Sequence, residues 1–186
     1  MTKGRMPSSI LVIAGSPRTL VNFRGLLLGA MRTSGHRVDA AAPGLTDNRA
    51  VATKLQRIDI SLHDIPLSRT GLNPFTDGVL FVALVRLMRI LRPRVVFAYT
   101  IKSVIFGLMA AAIAGVPRRY ALITGLGYPF TGEAAGKRRV IQSIARALYR
   151  TSLRRATKVF FQNPDDAALF TQLGLVPKHL PTVVVN

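Results

Sequence analysis

The sequence predicts an α/β protein, a doubly wound, mainly parallel sheet with helices on both faces. Two observations predict it. Short apolar, β-rich runs alternate with helix-period segments from one end of the chain to the other, in the order βαβαβαβαβαβα. Within that series, residues 94–132 read as a complete strand, helix, strand unit with a polar loop after each strand. The run 94–99 (RVVFAY) is a short strand, and residues 100–102 (TIK) are its loop. Residues 103–114 (SVIFGLMAAAIA) are apolar nearly all round, and Gly115-Val-Pro117 stops the helix they form. Residues 120–124 (YALIT) return as the next strand, and the turn-rich stretch 125–132 (GLGYPFTG) follows. Parallel strands joined this way bring their loops to one carboxyl edge, where open α/β sheets bind ligands.

The other elements follow in order. Residues 9–14 (SILVIA) form the first strand, turned by Gly15-Ser-Pro-Arg-Thr19 into a helix that runs through Met31 and stops at Ser34-Gly35. Such a turn aims free backbone N–H groups at the sheet edge, a geometry suited to an anion. Gly15 equally serves the turn alone, and Arg18, Asn22 and Arg24 add charge and hydrogen bonds beside it or stand in solvent. Residues 36–42 form the second strand, 47–57 a short helix with Asp47 near its start, and 58–62 a third strand. Residues 67–74 are loop, and Thr76-Asp77 caps a helix over 78–91 that carries Arg86, Arg89 and, just beyond it, Arg92. Residues 137–158 hold the densest positive charge, with Arg139, Arg146, Arg150 and Arg154 near an apolar stripe of Val140, Ile141, Ile144, Leu148 and Leu153. That pattern fits either a helix lying on an anionic membrane or the solvated face of a packed one. A core strand at 159–161, a short helix from Pro164 to Leu173, and a further strand or linker from Thr182 complete the chain.

Composition sets the outer bounds. The chain has 186 residues and is 49% hydrophobic, enough for one domain with a buried core. Lys and Arg total 26 against 8 Asp and Glu, a formal charge of +18 that draws polyanions without choosing among them. Absence of Cys removes disulfides, thiolate metal sites and thiol nucleophiles. The apolar run 10–14 is one strand long, short of the roughly 7–15 residues of a signal-peptide core. The longest uncharged apolar run, 103–117, falls short of the roughly 18–20 residues that span a bilayer.

Most site chemistries fail on spacing. Gly125-Leu-Gly127-Tyr-Pro-Phe130 has two glycines of a dinucleotide fingerprint and Phe in place of the third. Gly132 and Gly136 have three residues between them where a phosphate loop needs four, and Arg138 stands where it needs Ser or Thr. His36, His63 and His179 are scattered, so no metal site is expected, and no Gly-x-Ser-x-Gly elbow supports a triad. What survives is a polar rim at the carboxyl edge: Gly15 and Ser16, Thr100 and Lys102, Thr124, Gly125, Gly127 and Tyr128 within 124–131, and Asn163 with Asp165. Lys102 stands out, because an ammonium beside apolar packing needs a counter-charge, either a bound phosphate or a carboxylate such as Asp77.

These residues resemble the N-terminal domain of family 4 glycosyltransferases, the retaining GT-B enzymes. More narrowly, they are similar to the branch with bacterial N-acetylgalactosaminyl transferases that act on undecaprenyl-diphosphate-linked sugars. The matching pieces are Ala14-Gly-Ser, Ala98-Tyr-Thr-Ile-Lys102, Ala114-Gly-Val-Pro117, Ile123-Thr-Gly-Leu-Gly127 and Val159-Phe-Phe-Gln-Asn163-Pro-Asp165, in order over nearly the whole chain. The resemblance implies a Rossmann-like N-terminal half, residues 1–181, that binds the acceptor and docks on the membrane. Residues 182–186 would begin the linker to a C-terminal donor-binding domain absent from this sequence, so the chain alone is expected not to transfer sugar. The histidine that relatives often carry after the fifth strand has no counterpart in 125–132.

For the longer parent the resemblance implies transfer from a UDP-sugar to a polyprenyl-diphosphate-linked saccharide, with retention, at the inner face of the cell membrane. Lys102 and the Gly15 turn would meet phosphate, and the Gly125 loop would shape the acceptor cleft. Arg86, Arg89, Arg139, Arg146, Arg150 and Arg154 would hold anionic lipid, each at about 1 kcal/mol. No cofactor is expected, and no catalytic residue is assigned. Two other readings compete. Half of a sugar-nucleotide 2-epimerase has the same architecture but fewer matching motifs. A nucleic-acid module accounts for the charge, yet the basic residues lack interleaved aromatics, so no nucleic-acid partner is expected.

Overall fold

The computed structural model describes residues 7–68, 71, 73–125 and 137–185. Seven strands form one sheet: β1 (Ser9–Ile13), β2 (Arg37–Ala42), β3 (Ser61–Asp64), β4 (Val95–Tyr99), β5 (Arg118–Ile123), β6 (Lys158–Phe161) and β7 (Thr182–Val184). Their spatial order is β3-β2-β1-β4-β5-β6-β7, every pair parallel. The chain therefore winds outward in one direction from β1, then returns to the middle and winds outward in the other. The reversal lies between β1 and β4, so the loops after these two strands diverge onto opposite faces and leave a crevice.

Among the described residues seven helices cover the sheet: α1 (Pro17–Asn22), α2 (Gly25–Thr33), α3 (Arg49–Gln56), α4 (Pro74–Leu91), α5 (Ile101–Ile113), α6 (Lys137–Leu153) and α7 (Pro164–Gln172). The alternation of strand side chains splits the core in two. Val96 and Ala98 of β4 face the cluster under α4, α5 and α6, while Val95, Phe97 and Tyr99 face the cluster under α1, α2 and α3. Burial on both faces is what the near-continuous apolar runs of β1 and β4 signify. Helix α5 lies against the middle of the sheet because Gly107 lets it approach. A Cβ there would sit 3.1 Å from Ile13 Cδ1 and 3.4 Å from Ala98 Cβ.

Three boundaries differ from the sequence reading. The expected single helix after β1 is two, broken at Phe23 and Arg24, where Arg24 leaves the helical region (φ −127°, ψ 0°) and Gly25 restarts the turn. Helix α4 starts at Pro74 and is capped by Asn73, whose carbonyl oxygen accepts from the N–H groups of Phe75 (3.0 Å) and Thr76 (3.4 Å). Proline at the first helical position gives up an N–H that would have no partner there. Thr76-Asp77 is therefore inside the helix, and Asp77 turns inward. The third strand, expected over 58–62, runs Ser61–Asp64 instead, because residues 57–59 form the turn after α3 with Asp59 at φ 56°. Among the described residues no helix is long and apolar enough to cross a membrane.

Candidate functional site

The loops after β1, β4, β5 and β6 all lie at the carboxyl edge, since those strands are parallel neighbours. The β1 and β4 loops touch. A Cβ on Gly15 would lie 2.6 Å from Thr100 Oγ1 and 3.3 Å from Thr100 Cβ, so only glycine fits. Thr100 itself has φ 71° and ψ 152°, a conformation almost confined to glycine, and costs of the order of 1–3 kcal/mol are typical there. A β-branched residue held in that state places its hydroxyl over the turn, where it donates to Ser103 Oγ at 3.1 Å. Ser16 is the residue before α1 and makes no side-chain cap, so its hydroxyl is uncommitted to the helix.

Between β4 and β5 the rim opens into a cavity of about 190 Å³ lined by Thr100, Ile101, Leu122, Ile123, Thr124, Gly125 and Tyr149. Thr124 is exposed, and Gly125 takes φ 139°, another glycine backbone. Gly127 and Tyr128 lie outside the described residues. Two larger cavities sit at the opposite, amino edge, one beside Arg150, Arg154 and His179, the other beside Arg89, Arg92 and Arg94. Their size does not make them the site, because the strand loops that define an open sheet's binding edge are elsewhere.

Lys102 has a partner inside the protein. Its Nζ donates to Asp77 Oδ1 at 2.6 Å, and both side chains are buried, Lys102 at 7% exposure. Of the two counter-charges open to it, the carboxylate is the one present, so the ammonium ties α5 to α4 and is not offered to a phosphate. Asn163 is also occupied. Its Oδ1 accepts from the Asp166 N–H at 2.7 Å and its Nδ2 donates to Asp166 Oδ2 at 2.8 Å, which caps α7. Asn163→Ala is expected to lower the unfolding free energy by about 1 kcal/mol, the usual worth of an N-cap, with no change in ligand binding. Thermal unfolding beside a binding titration checks both halves.

Two tyrosines at the rim were not singled out by sequence. Tyr99, the last residue of β4, is buried, and burial pushes its phenol up to about 12, offset in part by Thr19 and Arg24. Thr19 Oγ1 donates to Ser16 O at 2.7 Å, so the 3.0 Å contact between Thr19 Oγ1 and Tyr99 Oη has the tyrosine as donor. Burial also pushes the Tyr149 phenol up, and Asp166 adds to it. Both stay protonated at neutral pH. The described rim is thus a set of hydroxyls around a crevice, equipped to bind and orient an oxygen-rich ligand. No group of three or more metal-ligating side chains occurs among the described residues.

The predicted lipid contacts divide. Arg86, Arg89, Arg139 and Arg154 are exposed, and Arg146 is half-buried. Arg150 donates to Gly174 O (3.0 Å) and Leu173 O (3.2 Å), serving the carbonyl end of α7. The apolar stripe on α6 also divides. Leu153 packs inward, but Val140, Ile141 and Ile144 face out, Val140 at 59% exposure. On α4, Phe75, Val79 and Val82 are likewise exposed, Phe75 at 84%. Both helices begin at the carboxyl edge, so these apolar side chains stand beside the rim.

An open parallel sheet with its polar rim at the β1/β4 reversal defines the class as Rossmann-like, the half-molecule of GT-B glycosyltransferase structures. Residues 23–186 match the glycosyl transferase 4-like domain, and the chain belongs to that family. It is 30% identical over 157 residues to the N,N'-diacetylbacillosaminyl-diphospho-undecaprenol alpha-1,3-N-acetylgalactosaminyltransferase of Campylobacter jejuni, covering 84% of this chain and 40% of that one. The fold matches MurG of Acinetobacter baumannii with TM-score 0.60 and 18% identity, over 97% of this chain and 45% of that one. It also matches a putative UDP-N-acetylglucosamine 2-epimerase of Listeria monocytogenes, TM-score 0.62 and 12% identity, over 91% and 43%. Shape alone does not separate transferase from epimerase; the family match does. The chain spans less than half the length of each of these relatives.

Proposed function

We propose that this chain is the acceptor-binding, membrane-docking domain of a retaining glycosyltransferase. Its longer form would move a sugar from a UDP-sugar, held by a second domain, to a polyprenyl-diphosphate-linked saccharide at the inner face of the cell membrane. The acceptor domain would extend past residue 181, where the sequence reading begins a linker at 182–186, because Thr182–Val184 pair with β6 as the edge strand, and the chain alone would not transfer sugar. The observation that carries the reading is the exposed apolar set on α4 and α6 beside the polar rim. A lipid-linked acceptor needs its saccharide in the crevice while its hydrocarbon stays in the bilayer, and that placement provides for both. Arg139, exposed in the first turn of α6, would add anionic-lipid attraction there, whereas Arg86, Arg89 and Arg154 lie toward the amino edge, away from that surface. The likeness to an enzyme named for a diphospho-undecaprenol acceptor supports the choice.

In this reading Ser16, Thr100 and Thr124 bind the acceptor's polar head, and the Gly15 turn admits it closely. Two carryovers from sequence are withdrawn from direct contact: Lys102 holds α5 in place through Asp77, and Asn163 caps α7. Vesicle flotation tests the docking. The chain is expected to float with vesicles containing anionic lipid and polyprenyl-diphosphate saccharide, less with neutral ones, and weakly when Val140, Ile141 and Ile144 are changed together to Ser. Flotation unaffected by the triple change, or preferred binding to duplex nucleic acid at matched salt, would sink this reading.

A further inference from the structure

Beside Tyr99, at the carboxyl end of β4, stands a cation the rim residues do not account for. Arg24 sits at the break between α1 and α2, half-buried, with its guanidinium carbon 5.3 Å from the centre of the Tyr99 ring. One terminal nitrogen donates to Phe23 O at 2.9 Å. Its Nε is buried and has no hydrogen-bond partner among the described residues, and no described carboxylate pairs with the group. Arg32, whose Nε is also unpartnered, differs: Asp59 and His36 O take its terminal nitrogens. A guanidinium that is desolvated, stacked on an aromatic face and short of acceptors is costly unless an anion completes it. Burial lowers the pKa of Arg24, the same cost seen from the proton's side.

The location narrows the anion. Tyr99 closes β4 and donates to Thr19, which in turn donates to Ser16 O, so Arg24 shares one network with the β1 turn. Its chain neighbours are apolar and open to solvent, Phe23 at 69% and Leu26 at 94% exposure. A fixed planar cation flanked by exposed hydrocarbon suits a phosphate joined to an apolar chain better than a free one. We propose that Arg24 receives a phosphate oxygen of a prenyl diphosphate, with Phe23 and Leu26 against the first isoprene units. This rests on the acceptor-binding reading above and adds the group that would hold the acceptor's diphosphate, with the first isoprene units on the α1/α2 side of the sheet and the bilayer contact of α4 and α6 on the other.

Calorimetry on the intact chain with inorganic pyrophosphate and with farnesyl diphosphate tests it. The wild-type chain is expected to bind farnesyl diphosphate more tightly than pyrophosphate. Arg24→Gln should weaken both by about tenfold or more, Arg24→Lys by less because the fork is lost but the charge kept, and F23S/L26S should remove only the farnesyl advantage. Movement of the Arg24 Nε–Hε resonance on titration of the wild-type chain reports the contact directly, whatever the variants' folding. An unmoved resonance, or unchanged affinity in Arg24→Gln, overturns the proposal, and equal affinity for the two ligands overturns its lipid part. Arg24-dependent diphosphate binding in a chain that fails to float with acceptor vesicles would count against the docking reading and leave this one standing.

Discussion

Lys102→Met is expected to lower the unfolding free energy by about 3–5 kcal/mol, the usual cost of stranding one member of a buried ion pair. The loss comes from Asp77, left buried with no counter-charge, rather than from the missing attraction itself. Asp77→Leu alone is expected to cost a similar amount, from the stranded ammonium. The D77L/K102M double variant should recover most of either loss, because apolar side chains of similar size can fill a buried pair's space at little or no net cost. Urea unfolding of the four proteins measures the coupling. A double variant as unstable as the singles would mean that the side chains are needed for shape and the charges for nothing. The pair ties the first turn of α5, which carries the strained Thr100, to the first turn of α4, so its loss is also expected to loosen the rim.

Gly15→Ala is expected to cost about 1–3 kcal/mol, since a methyl placed 2.6 Å from Thr100 Oγ1 forces one of the two loops to move. Thr100→Gly in the same chain should restore most of it, by removing the clashing side chain and relaxing a backbone at φ 71°. The two changes therefore combine non-additively, and a thermal-unfolding cycle reads the difference. The restored protein is expected to bind diphosphate-linked acceptor more weakly than the wild type, because the Thr100 hydroxyl is gone. If the double variant is only as stable as the sum of the singles predicts, the loops do not meet as described.

Order and type of the elements were legible because they depend on local pattern: apolar period, Pro and Gly punctuation, and the parallel return at 94–124. The binding edge followed from topology. Side-chain partners were less so. Lys102 was recognisable as a buried charge, yet its choice of Asp77 depends on a helix 25 residues earlier. The Asn73-Pro74 pair carries a start signal as strong as that of Thr76-Asp77, and local pattern does not choose between them. Asn163-Pro-Asp-Asp carries the same signal: the helix start at Pro164 is legible in it, the capping role of Asn163 is not. On α6 the periodicity gave a stripe but not which way its first half faces, since that depends on neighbouring helices. The Arg24, Tyr99 and Thr19 network joins α1, α2 and β4, and nothing local announces it.

Strand β1 pairs with β4 across some 85 residues of chain, and beside that pairing the Arg94 N–H donates to Ser9 Oγ. On a ribosome β1 gains its second neighbour, β4, only after about 85 further residues have been made. Until then an apolar edge stands open, which favours slow maturation and reliance on chaperones over autonomous collapse of the first segments.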